Sequence, residues 1–142
     1  MTASPIAFGT SGWRGIIGDD FTFLRVRLAV EAIAGHVLSQ NKKPTVLVAH
    51  DTRFFSEVFG EKPRVVLVAH DTRFFSEDFA RTAAIVLAEH GIRPLVCRGA
   101  TPTPTVAFEV RRAKLDGAIN FTASHNPAEY HGLKFSDGSG GP

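Results

Sequence analysis

The sequence predicts an α/β fold, a three-layer α/β/α sandwich around a mixed, mainly parallel sheet. Three observations carry that expectation: β-branched apolar runs of strand length, segments with apolar residues at helical spacing between them, and turn residues at the joints. With 142 residues, of which 44% are hydrophobic and 21% charged, the chain is long enough to bury one core and too short for two comfortable domains. Residues 1–142 therefore read as a single domain.

Residues 21–40 place Val26, Val30, Ile33 and Val37 on one helical face, with Asp20 or Thr22 available as the N-cap. The runs TVLVAH (45–50) and VVLVAH (65–70) suit a strand buried on both faces. Ser76 opens a second helix: Glu77 and Asp78 sit in its first turn, Phe79, Ala83 and Val86 share a face, and Gly91 falls at C′. Residues 93–98 form a short strand. Thr103 followed by Pro104 reads as an N-cap with proline at the first helical position, opening a helix through about Lys114. Residues 117–123 and 133–136 complete the strands, on either side of a loop. In sheets of this kind ligands gather at the strand C-terminal ends, which makes the loops there the place to search.

One feature interrupts this order. The segment VLVAHDTRFFSE fills residues 46–57 and recurs, residue for residue, 20 positions later at 66–77. Solenoids tolerate drift between repeats and need about three or more units to bury a shared core, so two perfect copies read as a tandem duplication instead. Only one copy can occupy the strand slot. The second continues directly into the helix with Asp78 in its first turn, whereas the first is followed by Gly60 and Pro63, which break helices. The second copy is therefore expected in the sheet. The displaced copy is apolar and β-prone, and it is expected to add an edge strand, pair with another chain or promote domain swapping.

Composition excludes several classes. Sixteen Lys and Arg stand against 14 Asp and Glu, a formal charge of +2 spread along the chain, so no nucleic-acid partner is expected. The single cysteine, Cys97, makes neither an internal disulfide nor a thiolate metal cage, and its apolar surroundings point to a buried, inert thiol. The first residues lack a basic segment followed by an apolar one, and no uncharged apolar run approaches the roughly 20 residues of a spanning helix. A cytoplasmic location and no membrane partner are the expectations.

The loop TASHNP (122–127) follows the predicted strand GAINF, where a ligand site belongs. Ser124 carries a hydroxyl between small Ala123 and two phosphate-bonding residues, His125 and Asn126. It fits an exposed nucleophile or phosphate carrier, although a serine in such a loop is by itself an ordinary turn residue. In GTSGWRG (9–15) the glycines allow a tight backbone near an anion, with Arg14 as the clamp and Thr10 and Ser11 as further ligand candidates; Trp13 reads equally as core or surface. Lys134 alone would read as a solvated edge residue. The pairs His50-Asp51 and His70-Asp71 have adjacent side chains rather than facing ones, which is poor geometry for a metal. The aspartate is expected to bond into the following turn while Arg53 or Arg73 buttresses the loops. Phe54, Phe55, Phe74 and Phe75 read as core or helix-staple residues.

FGTSGWRG, AHDTR, TPTPT (101–105), TASHNP and HGLKFS (131–136), in this order, resemble the first domain of the α-D-phosphohexomutases, the phosphoglucomutase/phosphomannomutase family. The resemblance covers the chain apart from one copy of the duplication. It implies that Ser124 is carried as a phosphoserine, giving its phosphoryl group to a hexose phosphate and taking one back from a bisphosphorylated intermediate. It further implies Lys134 in proton transfer and Arg14 beside the phosphate, while His125, next to Ser124, reads from its own chemistry as a residue that can bind the phosphate or help move a proton. By the same resemblance Mg2+ is held in part by Ser124 through its phosphate, and a hexose 1,6-bisphosphate serves as activator. The family's metal loop of the DGDGD type is not found in this sequence, so little turnover by this chain alone is expected. Two other readings stay open: a non-catalytic phosphosugar-binding module, and an engineered duplication made for folding or assembly.

Overall fold

A computed structural model describes residues 5–10, 12–40, 45–46 and 64–141. The order of elements is β1 (Trp13–Ile16), α1 (Phe23–Gln40), β2 (Thr45–Val46), β3 (Arg64–His70), α2 (Ser76–Glu89), β4 (Arg93–Val96), α3 (Thr103–Ala113), β5 (Gly117–Phe121) and β6 (Tyr130–Asp137). Among the described residues they build one six-stranded sheet in the order β1-β6-β5-β3-β2, with β4 also pairing to β3. Strands β2, β3, β4 and β5 run parallel, while β6 is antiparallel to both its neighbours, β5 and β1. The sheet is mixed and mainly parallel, as predicted.

The two-residue period of β3 divides the core. Val66 and Val68 point into a cluster with Val26, Val30, Ile33 and Val37 of α1 and Phe79, Ala83 and Val86 of α2. Leu67 and Ala69 point the other way, against Val106 and Val110 of α3. Alternation along a strand thus assigns two helices to one face and one to the other, which gives the three layers. Burial on both faces also explains why β3 reads as a continuous apolar run rather than an alternating one. β3 is built from the second copy of the duplicated segment, and Ser76 of that copy opens α2. Of the first copy, Val46 ends β2, parallel to the start of β3; residues 47–57, including His50, Asp51, Arg53, Phe54 and Phe55, lie outside the described residues.

Helix ends follow local chemistry. The Arg25 N–H donates to Thr22 Oγ1 at 3.3 Å, so Thr22 rather than Asp20 caps α1. Gly91, at φ 70°, takes the left-handed position after α2. Extended Pro102, not Thr103, is the N-cap of α3, and the helix begins one residue earlier than its Thr-Pro signal implies.

Several expectations are corrected. The sequence around Trp13 reads only as a glycine-rich turn, yet Trp13–Ile16 is a strand pairing with β6, and Trp13 is buried with its ring stacked on Phe21 at 4.5 Å. Of the two readings of Phe74 and Phe75, core fails, since they are 69% and 37% exposed in the turn before α2, whereas the helix-staple reading keeps support from the Phe75 ring, 6.1 Å from that of Phe79. Cys97 lies just beyond β4 and is half-buried rather than enclosed in a strand. Burial still pushes its thiol pKa up, with Glu109 adding to the rise and a hydrogen bond with Thr101 opposing it. No helix among the described residues is long and apolar enough to cross a membrane.

Candidate functional site

The C-terminal ends of the parallel strands converge on residues 122–130. The loop leaves β5 at Phe121, turns, and returns as β6 at Tyr130. It is tied at its root, where Thr122 N–H donates to the Gly132 carbonyl at 2.9 Å and Ser124 N–H to Thr122 Oγ1 at 3.0 Å. Within it, Asn126 N–H reaches the Ala123 carbonyl and Tyr130 N–H the Pro127 carbonyl, each at 3.1 Å.

Arg73 holds the loop from beneath. Its Nη1 donates to the carbonyls of Pro127 (2.7 Å) and Tyr130 (3.1 Å), and its Nη2 to those of Ser124 (2.9 Å) and Asn126 (2.6 Å). A planar guanidinium is suited to this task, since its donors are fixed in a fork and one side chain can fix several acceptors at once. Asp71 aims the fork: Oδ2 lies 3.2 Å from Arg73 Nε, and Oδ1 accepts from the Arg73 backbone N–H at 2.9 Å and from Ser76 Oγ at 2.7 Å. Burial acts to raise the Asp71 pKa, but the hydrogen bonds from Arg73, Ser76 and Thr122, with the attraction of His131, outweigh it and hold the pKa below its ordinary value. The expected roles of Asp71 and Arg73 are those the structure gives.

On this support Ser124 is exposed, with its backbone in the left-handed region at φ 57°. A serine there is uncommon and costs about 1 kcal/mol or more, and such strain is found where the surrounding structure over-determines the backbone. The four bonds from Arg73 and the two at the root are that over-determination. Residue His125 is exposed beside Ser124.

Arg14 and Lys134 come from adjacent strands. The register sets Arg14 opposite Gly132 and Lys134 opposite Asn120. Gly132 has no room for a Cβ, which would meet the Thr122 carbonyl oxygen at 2.6 Å and Arg14 Cγ at 3.0 Å, so the glycine lets Arg14 cross β6 toward the loop. There Nη1 donates to Asn126 Oδ1 at 2.7 Å, while the buried Nε has no hydrogen-bond partner. A desolvated guanidinium N–H of this kind is a ready donor to an anion. Lys134 is half-buried in an interior strand, not on an edge. Burial lowers its ammonium pKa, Arg14 lowers it further, and Asp71 partly offsets both.

Thr10 is exposed near the turn made by the reciprocal Gly9 and Gly12 backbone bonds, and Ser11 lies outside the described residues. The structure thus joins Arg14 and Asn126 directly and couples Lys134 to Arg14 electrostatically, with Ser124 and His125 on the loop that Arg14 touches. Two buried residues behind the site, Ser76 and His131, escape sequence reasoning. His131 is visible there only as the first letter of HGLKFS, and nothing local marks a buried imidazole. Among the described residues no group of three or more His, Cys, Asp or Glu could hold a metal, and the Asp71 carboxylate is already engaged on both oxygens. The described residues do not by themselves build a magnesium site.

The family model described as phosphoglucomutase/phosphomannomutase, alpha/beta/alpha domain I, matches residues 5–62 and 57–142, each segment holding one copy of the duplication. The chain is 35% identical over 134 residues to a phosphoglucosamine mutase of Clostridium acetobutylicum and 35% identical over 136 residues to one of Limosilactobacillus reuteri, covering 94% of its own length in each case. It spans 25% of the length of both of those curated relatives. A Thermus thermophilus crystal structure, assigned to a phosphomannomutase, superposes with a TM-score of 0.79 at 37% identity, covering 99% of this chain and 28% of that one. A Burkholderia thailandensis structure of a phosphoglucomutase/phosphomannomutase family protein, at 23% identity and a TM-score of 0.73, covers 97% of this chain and 27% of its own and shares the fold.

Proposed function

Because the chain belongs to the phosphoglucomutase/phosphomannomutase family, as its α/β/α domain I, we propose that Ser124 is the phosphoryl carrier of a hexose-phosphate mutase reaction. The phosphoserine Oγ–P bond breaks as the phosphoryl group passes to a hydroxyl of a hexose phosphate. The bisphosphate so formed then returns its other phosphoryl group to Ser124 Oγ, and the net change is movement between the 1- and 6-positions.

The observation that carries this reading is an exposed serine, strained into the left-handed backbone on a loop clamped by Arg73, with Arg14 bonded into the same loop. Phosphoryl transfer asks little covalent chemistry of a protein beyond position and charge neutralisation. A phosphoserine brings about −1.5 to −2 charges, and Arg14 and Lys134 are the cations of this chain that answer it. A lowered Lys134 pKa also suits proton exchange with the sugar hydroxyl that attacks or leaves, with His125 as a second proton carrier. Thr10, Ser11 and Asn126 are proposed phosphate ligands. The Ser124 phosphate would hold magnesium in part, and the ion would there supply charge neutralisation to the phosphoryl oxygens.

The test is phosphopeptide mapping after incubation with a hexose 1,6-bisphosphate and magnesium. Phosphate on Ser124, absent from Ser124→Ala, is expected, with little sugar turnover by this chain alone. A Ser124 that stays bare while the chain is folded would overturn the reading.

A further inference from the structure

Behind the Arg73 clamp a line of hydrogen bonds runs into the core, and each bond dictates the direction of the next. A carboxylate only accepts, so the single proton of the Ser76 hydroxyl goes to Asp71 Oδ1, 2.7 Å away. Ser76 Oγ is therefore the acceptor for His131 Nε2, also at 2.7 Å, and that nitrogen must carry a proton. In a neutral imidazole Nδ1 is then the acceptor, and the Gly132 N–H donates to it at 2.9 Å. The contact that would need the opposite tautomer, Nδ1 to the Gly132 carbonyl, is longer at 3.4 Å.

Water is excluded from the Ser76–His131 end of this line. His131 is fully buried and Ser76 only 2% exposed. The imidazole stacks on Phe21 at 5.0 Å and meets the rings of Phe79 at 5.1 Å and Phe121 at 6.4 Å. The charged and titratable groups acting on it are Asp71, Arg73 and His70, all from the end of β3 and the turn that follows. The aromatic cage thus fixes the ring, the ring fixes the Ser76 hydroxyl, and that hydroxyl fixes one oxygen of the carboxylate that aims Arg73.

We infer that His131 is a positioning residue for the Ser124 loop, acting through Ser76 and Asp71 to set the orientation in which Arg73 grips it. The consequence for phosphoryl transfer rests on the reading of Ser124 as a carrier; the clamp itself does not. The line also gives His131 and Arg73 a joint role that neither shows alone, since one is sealed in the core and the other bonds the surface loop.

The test compares Ser76→Ala, His131→Phe and His131→Gln in the full chain. Phenylalanine keeps the ring and removes the donor, whereas the glutamine amide restores an N–H toward Ser76. Readouts are hydrogen exchange of the Asn126 and Tyr130 amides against core amides of α2, and the NMR signal of Arg73 Nε–H. Loss of one charge-linked hydrogen bond is expected to speed loop exchange about tenfold relative to the core in the first two variants, with the Arg73 signal broadened. The glutamine variant should recover most of both. Unchanged loop amides, equal acceleration of loop and core, or a glutamine variant no better than phenylalanine would overturn the inference. So would a wild-type imidazole protonated on Nδ1 rather than Nε2, which requires no variant to fold. Phosphate mapping at Ser124 runs separately: a bare serine with the loop responses intact sinks the carrier reading and leaves the positioning role standing.

Discussion

Replacing Arg73 with alanine removes four donors to loop carbonyls together with the ion pair to Asp71. The bonds to Tyr130 and Asn126 are partly shielded from water, whereas those to Pro127 and Ser124 are exposed. A shielded bond to a charged donor contributes about 1.5 kcal/mol, and an exposed one about 0.5 kcal/mol once screening is counted. The loss expected for Arg73→Ala is therefore about 4 kcal/mol, which for a chain of this size lowers Tm by roughly 13 °C. Lysine at this position places one compact ammonium where the fork stood and satisfies fewer of the carbonyls, so Arg73→Lys should recover less than half of the loss. Urea and thermal unfolding followed by circular dichroism measure both. If Arg73→Ala unfolds within about 1 kcal/mol of wild type, a difference typical of a replaced surface side chain, then the loop is held by its own turns and the argument for a clamp is wrong.

Three further predictions concern His131, Asp71 and Gly12. Burial lowers the His131 pKa to about 4 from its ordinary 6.5, against the pull of Asp71, so the unfolded chain binds the proton more readily. Stability is then complete above pH 6.5 and falls with decreasing pH toward 4, by about 3 kcal/mol at about 1.4 kcal/mol per pH unit; urea midpoints across that range should show the slope, and His131→Gln should remove its part of it. The depressed Asp71 carboxyl contributes stability that is present above its ordinary value of 3.8 and lost at lower pH, so its effect falls in a separate, more acid window. Gly12 has φ 87°, and a Cβ there would run into the Leu133 backbone. Gly12→Ala should therefore destabilise by about 2 kcal/mol or more and disturb the β1–β6 pairing that carries Arg14. A Gly12→Ala chain with unchanged Tm and unchanged β1 amide protection would contradict that.

Periodicity makes the long elements legible. The apolar stripe of residues 21–40, the acidic first turn after Ser76 and the β-branched run at 65–70 are each decided by their own residues, and the structure keeps them nearly as read. β1 is hidden from such reading because its four residues, WRGI, are too few for a period and include a glycine; what makes them a strand is the partner β6, more than 100 positions away in sequence. The same limit explains Phe74 and Phe75. Two adjacent phenylalanines ahead of a helix look like core, but with the left-handed turn at Phe75, φ 62°, Phe74 is left largely exposed while the Phe75 ring lies along the edge of the core against Phe23 and Phe79. The motif residues Ser124, Arg14 and Lys134 are legible as letters, whereas the line from Arg73 to His131 joins separate elements and exists only after they pack.

That difference bears on which copy of HDTRFFSE holds the loop, since among the described residues the clamp is Arg73 of the second copy. The segment carries the acceptor, the fork and the relaying serine within six residues, so either copy holds the local parts. It does not hold the imidazole of His131 or the loop carbonyls, which the β5–β6 hairpin supplies once. The copy that becomes the clamp is the one whose strand pairs with β5, and in this structure β3, from the second copy, has that register, with Ala69 opposite Asn120 and His70 opposite Phe121. A short sequence thus specifies a capacity for the loop-holding turn, and strand pairing decides where that capacity is used. The Ser124 backbone can stay strained at the surface because most of its support, the four bonds from Arg73, is set by strand pairing and not by the loop alone.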